Sequence, residues 1–177
     1  MKAKLYGFHG DELTIDFEVP NVDAFRGLVS LRPERIRVGR DLIAMSFGRT
    51  GLWRADGSLR AYGGDAFVRA DILANTGMIV AVGTNEGTPW LGFLEPSTLA
   101  RSSSVTIRPH PGCALSDVVV HEGASLCAVV WRGQTEGGFD IHRLPSLERV
   151  PELTFFTAWA EPSPADFSPN GALLVTT

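Results

Sequence analysis

The side chains able to do chemistry in this chain are few, and their spacing argues against most reactions. Four histidines, His9, His110, His121 and His142, and two cysteines, Cys113 and Cys127, are the main candidates. His110-Pro111-Gly112-Cys113 places an imidazole near a thiol, the pairing in which a base generates the nucleophilic thiolate. A loop histidine beside a half-buried cysteine is the simpler expectation for that segment. A metal site needs three or four donors on convergent elements. The histidines fall at unrelated points of the chain, and the two cysteines lack a second pair, so solvated histidines, reduced thiols and no metal are expected. Cys127 lies in Leu126-Cys127-Ala128-Val129-Val130, a run in which a small buried thiol is ordinary. No G-x-S-x-G, P-loop, G-x-G-x-x-G or H-E-x-x-H string occurs. The expectation is therefore no catalytic residue and no cofactor.

Three carboxylates recur in similar surroundings. Ala70-Asp71, Ser116-Asp117 and Ala165-Asp166 each open an apolar stretch and precede a glycine turn. Carboxylates repeated about an axis can hold a cation. Capping the backbone of the preceding connection is the role preferred here.

A different set of residues suggests recognition. The segments Gly48-Arg49-Thr50-Gly51, Thr84-Asn85-Glu86-Gly87-Thr88 and Arg132 to Gly138 are polar, rich in glycine and flanked by Trp53, Trp90 and Trp131. Adaptable polar loops beside aromatics and arginine have the composition of an interface. Arg49, Asn85, Glu86, Trp90, Trp131, Arg132 and Glu136 are the candidate binding residues. The competing role for each tryptophan is packing between neighbouring structural units.

The elements that would carry these residues repeat. Glycine turns at Val38-Gly39-Arg40-Asp41, Asn75-Thr76-Gly77, His121-Glu122-Gly123 and Pro169-Asn170-Gly171 have their glycines 38, 46 and 48 residues apart. Each joins two extended runs, and runs such as Met78 to Val82 and Leu126 to Trp131 have the continuous apolar character of strands buried on both faces. A second series of hairpins lies between them, turning at Asp56-Gly57, Pro96-Ser97 and Pro145-Ser146, with a fourth at Leu5 to Ile15. The leucines Leu13, Leu59, Leu99 and Leu147 follow these turns at intervals of 46, 40 and 48 residues. Two landmarks share one period, the signature of a repeat architecture.

At the motif level, Asp166-Phe167-Ser168-Pro169-Asn170-Gly171-Ala172-Leu173-Leu174 resembles the strand-turn-strand unit of WD40-like and YVTN-type β-propellers, and Ile141 to Val150 resembles their outer hairpin. The Trp-Asp dipeptide and Gly-His pair of strict WD40 blades are absent. The resemblance implies an all-β propeller of about four blades occupying residues 1–177 as one domain. It places function on the loops joining the second strand to the third and each blade to the next. The series begins with an outer hairpin, Lys4 to Glu18, and finishes with an inner one, Ala165 to Thr176. This suggests a ring closed by pairing Ala172–Thr176 with Lys4–Phe8, or else a partial ring belonging to a larger propeller or completed by a homodimer. A non-catalytic module binding a protein or peptide is the expected function. The alternatives are a hydrolase or lactonase with a site assembled from several blades, and an inactive fragment.

Composition agrees with a folded domain. The chain has 177 residues, 44% apolar, and mean hydropathy is +0.07, enough for a sizeable core. Net charge is −4, which disfavours nucleic acid as a partner. Fourteen of the sixteen cations are arginines, the densest run being Arg32, Arg35, Arg37 and Arg40, expected at a solvated strand edge. No apolar stretch matches a signal or membrane span, so cytoplasmic residence without a membrane partner is the expectation.

Overall fold

A computed structural model describes residues 2–3, 17–18, 35–38, 42–46, 50–54, 59–62, 67–157, 165–168, 172 and 174–176. Strands dominate it. They are β1 (Lys2–Ala3), β2 (Phe17–Glu18), β3 (Arg35–Val38), β4 (Leu42–Ser46), β5 (Thr50–Arg54) and β6 (Leu59–Tyr62), followed by β7 (Arg69–Ile72), β8 (Ile79–Asn85), β9 (Thr88–Leu94) and β10 (Arg101–Thr106). Then come β11 (Cys113–His121), β12 (Leu126–Gly133), β13 (Gly137–Arg143), β14 (Phe155–Thr157), β15 (Ala165–Phe167) and β16 (Leu174–Thr176). The only helical element among the described residues is a 3-10 turn at Pro151–Leu153. No helix of the described residues is long and apolar enough to cross a membrane.

The chain is all-β, and its strands form consecutive antiparallel meanders. Sheet I is β3-β4-β5-β6, sheet II is β7-β8-β9-β10 and sheet III is β11-β12-β13-β14; β1-β2 and β15-β16 are two-stranded. The turns Asn75-Thr76-Gly77 and His121-Glu122-Gly123 lie between β7 and β8 and between β11 and β12, while Gly39 and Pro169-Asn170-Gly171 lie outside the described residues. The Arg-rich first copy forms a true hairpin, Arg35 opposite Ser46 and Val38 opposite Ile43. Of the basic run, Arg35 and Arg37 lie in β3.

The outer turns are corrected in detail. Leu99 and Leu147 do not begin strands; each is a turn residue at φ 61. Leu99 N–H donates to Glu95 C=O at 2.7 Å, and Leu147 N–H to Arg143 C=O at 2.8 Å, the same closing bond in both turns. Residues 147–149 therefore give only an isolated bridge, His142 with Arg149, and the outer strand of sheet III is β14. A positive φ strains a leucine, so the repetition of this conformation marks a shared backbone plan.

Successive side chains of a strand point to opposite faces, and in the middle strands both faces are covered. Along β8, Ile79 and Ala81 join a core shared with Ala44 and Leu52 of sheet I, while Val80 and Val82 join one shared with Val118, Val120 and Val129 of sheet III. Along β12, Cys127, Val129 and Trp131 face sheet II, while Ala128 and Val130 face the side where Phe167 and Leu174 pack. This two-sided burial explains the unbroken apolar runs. The first strands carry the contact between sheets, β7 against β3 and β4, β11 against β7, and β15 against β11.

Of the recurrent aspartates, Asp71 ties its strand to the next sheet, and all three bond the backbone of the strand they open. Asp71, Asp117 and Asp166 pair across to Val80, Val130 and Val175. Each carboxylate accepts from the next residue's N–H, at 2.9, 2.8 and 2.9 Å. The second oxygen of buried Asp71 accepts from Val120 N–H at 3.0 Å, satisfying a donor on the first strand of the following sheet. Arg69 Nε adds a bond to Ser116 C=O at 2.7 Å. Among the described residues no group of three His, Cys, Asp or Glu side chains could hold a metal ion.

The proposed partner strand Lys4–Phe8 lies outside the described residues. Within them β16 pairs with β15 alone, and no strand pairing joins one sheet to another. Asp71→Ala strands two buried N–H donors, at about 1–3 kcal/mol each. It should lower the thermal midpoint far more than Asp166→Ala at an exposed site; equal losses by calorimetry would contradict the inter-sheet bond.

Candidate functional site

The expected binding residues divide sharply by exposure. Asn85 and Glu86 are exposed at the β8–β9 hairpin. Its two central residues, Glu86 and Gly87, have φ 49 and 80, as a type I′ turn requires. Arg132 and Glu136 are exposed at the β12–β13 loop. Arg49 lies outside the described residues. Trp90 and Trp131 are core side chains, 5% and 1% exposed, and offer no indole face to a partner. Trp90 lies over Gly83, where an added Cβ would stand 2.6 Å from the ring, so that position admits only glycine without displacing the indole. The packing role of both tryptophans is the one observed.

One polar constellation holds the connection between sheets II and III. Asp140, in the middle of β13, is buried and collects donors from four side chains. Its Oδ2 accepts from His110 Nε2 at 2.8 Å and Trp131 Nε1 at 2.9 Å. Its Oδ1 accepts from Arg149 Nε at 2.8 Å and from Thr154 Oγ1 at 3.3 Å, and Arg149 Nη2 forms an ion pair with it at 2.7 Å. Burial works to raise the carboxyl pKa, but the bonds from His110 and Arg149 outweigh it and hold the group below its usual value. His110 is thus no solvated loop histidine: its ring lies 3.7 Å from that of Phe156 between centroids and meets Trp131 edge-on at 5.2 Å.

His142 is likewise buried, not solvated. Its Nδ1 donates to Leu147 C=O at 2.9 Å, and its Nε2 is buried with no hydrogen-bond partner among the described residues. Burial is the main cause holding its pKa below the usual histidine value. His121 has a third role, its Nδ1 accepting from Ala124 N–H at 2.9 Å inside the β11–β12 turn.

These groups border a cleft of about 180 Å³. Val105, Thr106, Ile107 and Arg108 form one side; Asp140, His142, Leu147 and Arg149 form the other, with His110 between. Among the described residues, neither His110 nor His142 shares a hydrogen bond with a hydroxyl or thiol nucleophile. The Cys113 thiol bonds Glu136 C=O at 3.6 Å instead of pairing with His110. Its pKa is raised by partial burial and by Glu136, while burial, then the Asp71 charge, pushes that of Cys127 up to about 12. Both sulfurs are free thiols.

Asp140, Arg149 and Thr154 were not singled out by sequence. The available signal was Asp140 itself, a charge inside the strand Gly137-Gly138-Phe139-Asp140-Ile141, since a charge in an apolar strand requires buried partners.

The chain matches no protein-family model and no curated protein.

Asp140 and His142 both have depressed folded-state pKa values, so each contributes stability that is lost on acidification. For His142 the loss begins as pH falls through about 6.5, and for Asp140 below about 3.9, their unfolded values. The melting temperature should fall between pH 7 and pH 5, and His142→Leu should flatten that slope; an unchanged slope would count against the buried neutral imidazole. Asp140→Asn should cost roughly 2–3 kcal/mol at pH 7, the low end for a broken buried pair because the Arg149 side chain is 44% exposed.

Proposed function

We propose that this chain is a propeller-type interaction module that binds a protein or peptide across one end of its sheets. In this reading sheets I to III are blades, and β3, β7, β11 and β15 are their innermost strands. The observation that carries it is the gathering of exposed polar residues at one end while the chemically capable groups nearby are occupied with one another. The connection 107–112 is bonded at both sides of that end, Ile107 N–H to Pro89 C=O at 3.1 Å and Cys113 Sγ to Glu136 C=O at 3.6 Å. Asn85 and Glu86 stand beside the first contact, and Arg132 and Glu136 beside the second. Asp140 fastens the same connection through His110, which pre-organises the loops and lowers the ordering cost of binding.

The alternative is a hydrolase drawing on the His110–Asp140 pair. It is less well supported, because acyl transfer needs a nucleophile within hydrogen-bond reach of the base, and neither histidine has one among the described residues.

Photo-cross-linking residues placed at Glu86 and Glu136 should trap one shared partner. The same residues placed at Ser97 and Ser146, in the turns at the opposite end, should not trap it. Equal capture from both ends, or none from the first, would overturn the assignment.

A further inference from the structure

The cleft between sheets II and III carries two kinds of binding group. Asp140 and His142, two residues apart on β13, share the strand face opposite to Phe139 and Ile141, and both border the cleft. Asp140 is committed to its four partners, but His142 is not. Its ring is 3% exposed, and its Nδ1 must be the protonated nitrogen, because the Leu147 C=O that it meets at 2.9 Å can only accept. In the neutral imidazole Nε2 is then a pure acceptor, and it is buried with no hydrogen-bond partner among the described residues. Native structures rarely leave such an atom unsatisfied, so this one marks a place for a donor. The second group is cationic. Arg149 gives Nε and Nη2 to Asp140, but its side chain is 44% exposed and has further N–H donors. Arg108, exposed on the other side of the cleft, forms no ion pair with a described residue. Val105, Ile107 and Leu147 supply apolar walls between these groups.

We propose that this cleft binds a short hydroxy-carboxylate, its carboxylate on Arg108 and Arg149, its hydroxyl donating to His142 Nε2 and its carbon chain against Val105, Ile107 and Leu147. The cleft's 180 Å³ is room for about six waters, the size of a hydroxy acid of about three or four carbons. A plain carboxylate would satisfy the arginines and leave Nε2 unbonded. An ammonium donor in place of the hydroxyl would stand beside two guanidinium charges, with the one carboxylate at hand already shared among its own donors. Because Nε2 is out of water, a ligand lacking the donor leaves a buried acceptor unpaired, which is the strongest basis for telling two small ligands apart. The site depends neither on the propeller reading nor on a partner at the loop end.

The test titrates the full chain with lactate, β-hydroxybutyrate and γ-hydroxybutyrate while nitrogen NMR follows the histidine rings. Saturable binding of at least one of them, with a shift of the His142 Nε2 resonance, is expected. Propionate and butyrate, which lack the hydroxyl, should bind at least about tenfold more weakly and leave Nε2 unmoved. Butanediol, which lacks the carboxylate, should be weakened to a similar extent. Arg108→Gln, at an exposed position with no bond to Asp140, should weaken the hydroxy acid about tenfold at an unchanged melting temperature. Failure of all three hydroxy acids to bind overturns the inference. Equal binding of butyrate overturns it in favour of a general attraction of anions to arginine, and binding unaffected by Arg108→Gln places the ligand elsewhere.

Discussion

Apolar burial on both faces of each middle strand governs the rest of this structure. A strand such as β8 cannot satisfy Ile79 and Val80 against one neighbour, because they point in opposite directions. A sheet built from such strands needs a covering layer on each side, and here the neighbouring sheets supply it. Covering a Val or Leu side chain contributes about 1.5–3 kcal/mol, and Ile79 to Val82 of β8 and Cys127 to Trp131 of β12 all take part. The sheets consequently stabilise one another in sequence, and none has a complete core alone.

That arrangement leaves polar backbone at the sheet edges, and buried side chains resolve it. The first strand of each sheet has one edge without a strand partner, and the Val120 N–H on β11 is satisfied across the interface by Asp71. Asp140 solves the related problem for the connection between sheets, which must leave the regular ladder yet remain packed. Four hydrogen bonds and an ion pair, from His110, Trp131, Arg149 and Thr154, converge on its two oxygens. In both cases a carboxylate is tolerated inside because its acceptor capacity is used, which is the condition for burying such a group.

The strands were legible because local chemistry writes them. Glycine turns need positive φ, and two-sided strands leave continuous apolar runs, so even the arginine-rich hairpin of β3 and β4 could be read from its turn. The roles of the histidines and aspartates were not legible, because they depend on partners far along the chain. Asp71 reaches Val120, and His110 reaches Asp140, through the stacking of separate sheets. Trp90 and Trp131 illustrate the same limit. Their neighbouring glycines mark a loop from the sequence side, but the alternation of β9 and β12 turns the indoles inward. Leu99 and Leu147 had the correct spacing but the wrong conformation, since periodicity locates a turn without stating which residue takes the positive φ.

The same two-sided constraint bears on the face of sheet III that meets β15-β16. Phe139 and Ile141 occupy the register positions that Leu91 and Phe93 hold one sheet earlier, and their burial requirement is the same. Ile141 is covered by Val150, Phe167 and Leu174, whereas Phe139 is only partly buried and Phe155 beside it lies open. The difference follows the number of strands in the next sheet: four seal the face, and two seal half of it. In a stack where each sheet depends on its neighbour for a covering layer, apolar burial among the described residues is therefore least complete at the outer part of sheet III, where Leu153 and Phe155 are exposed.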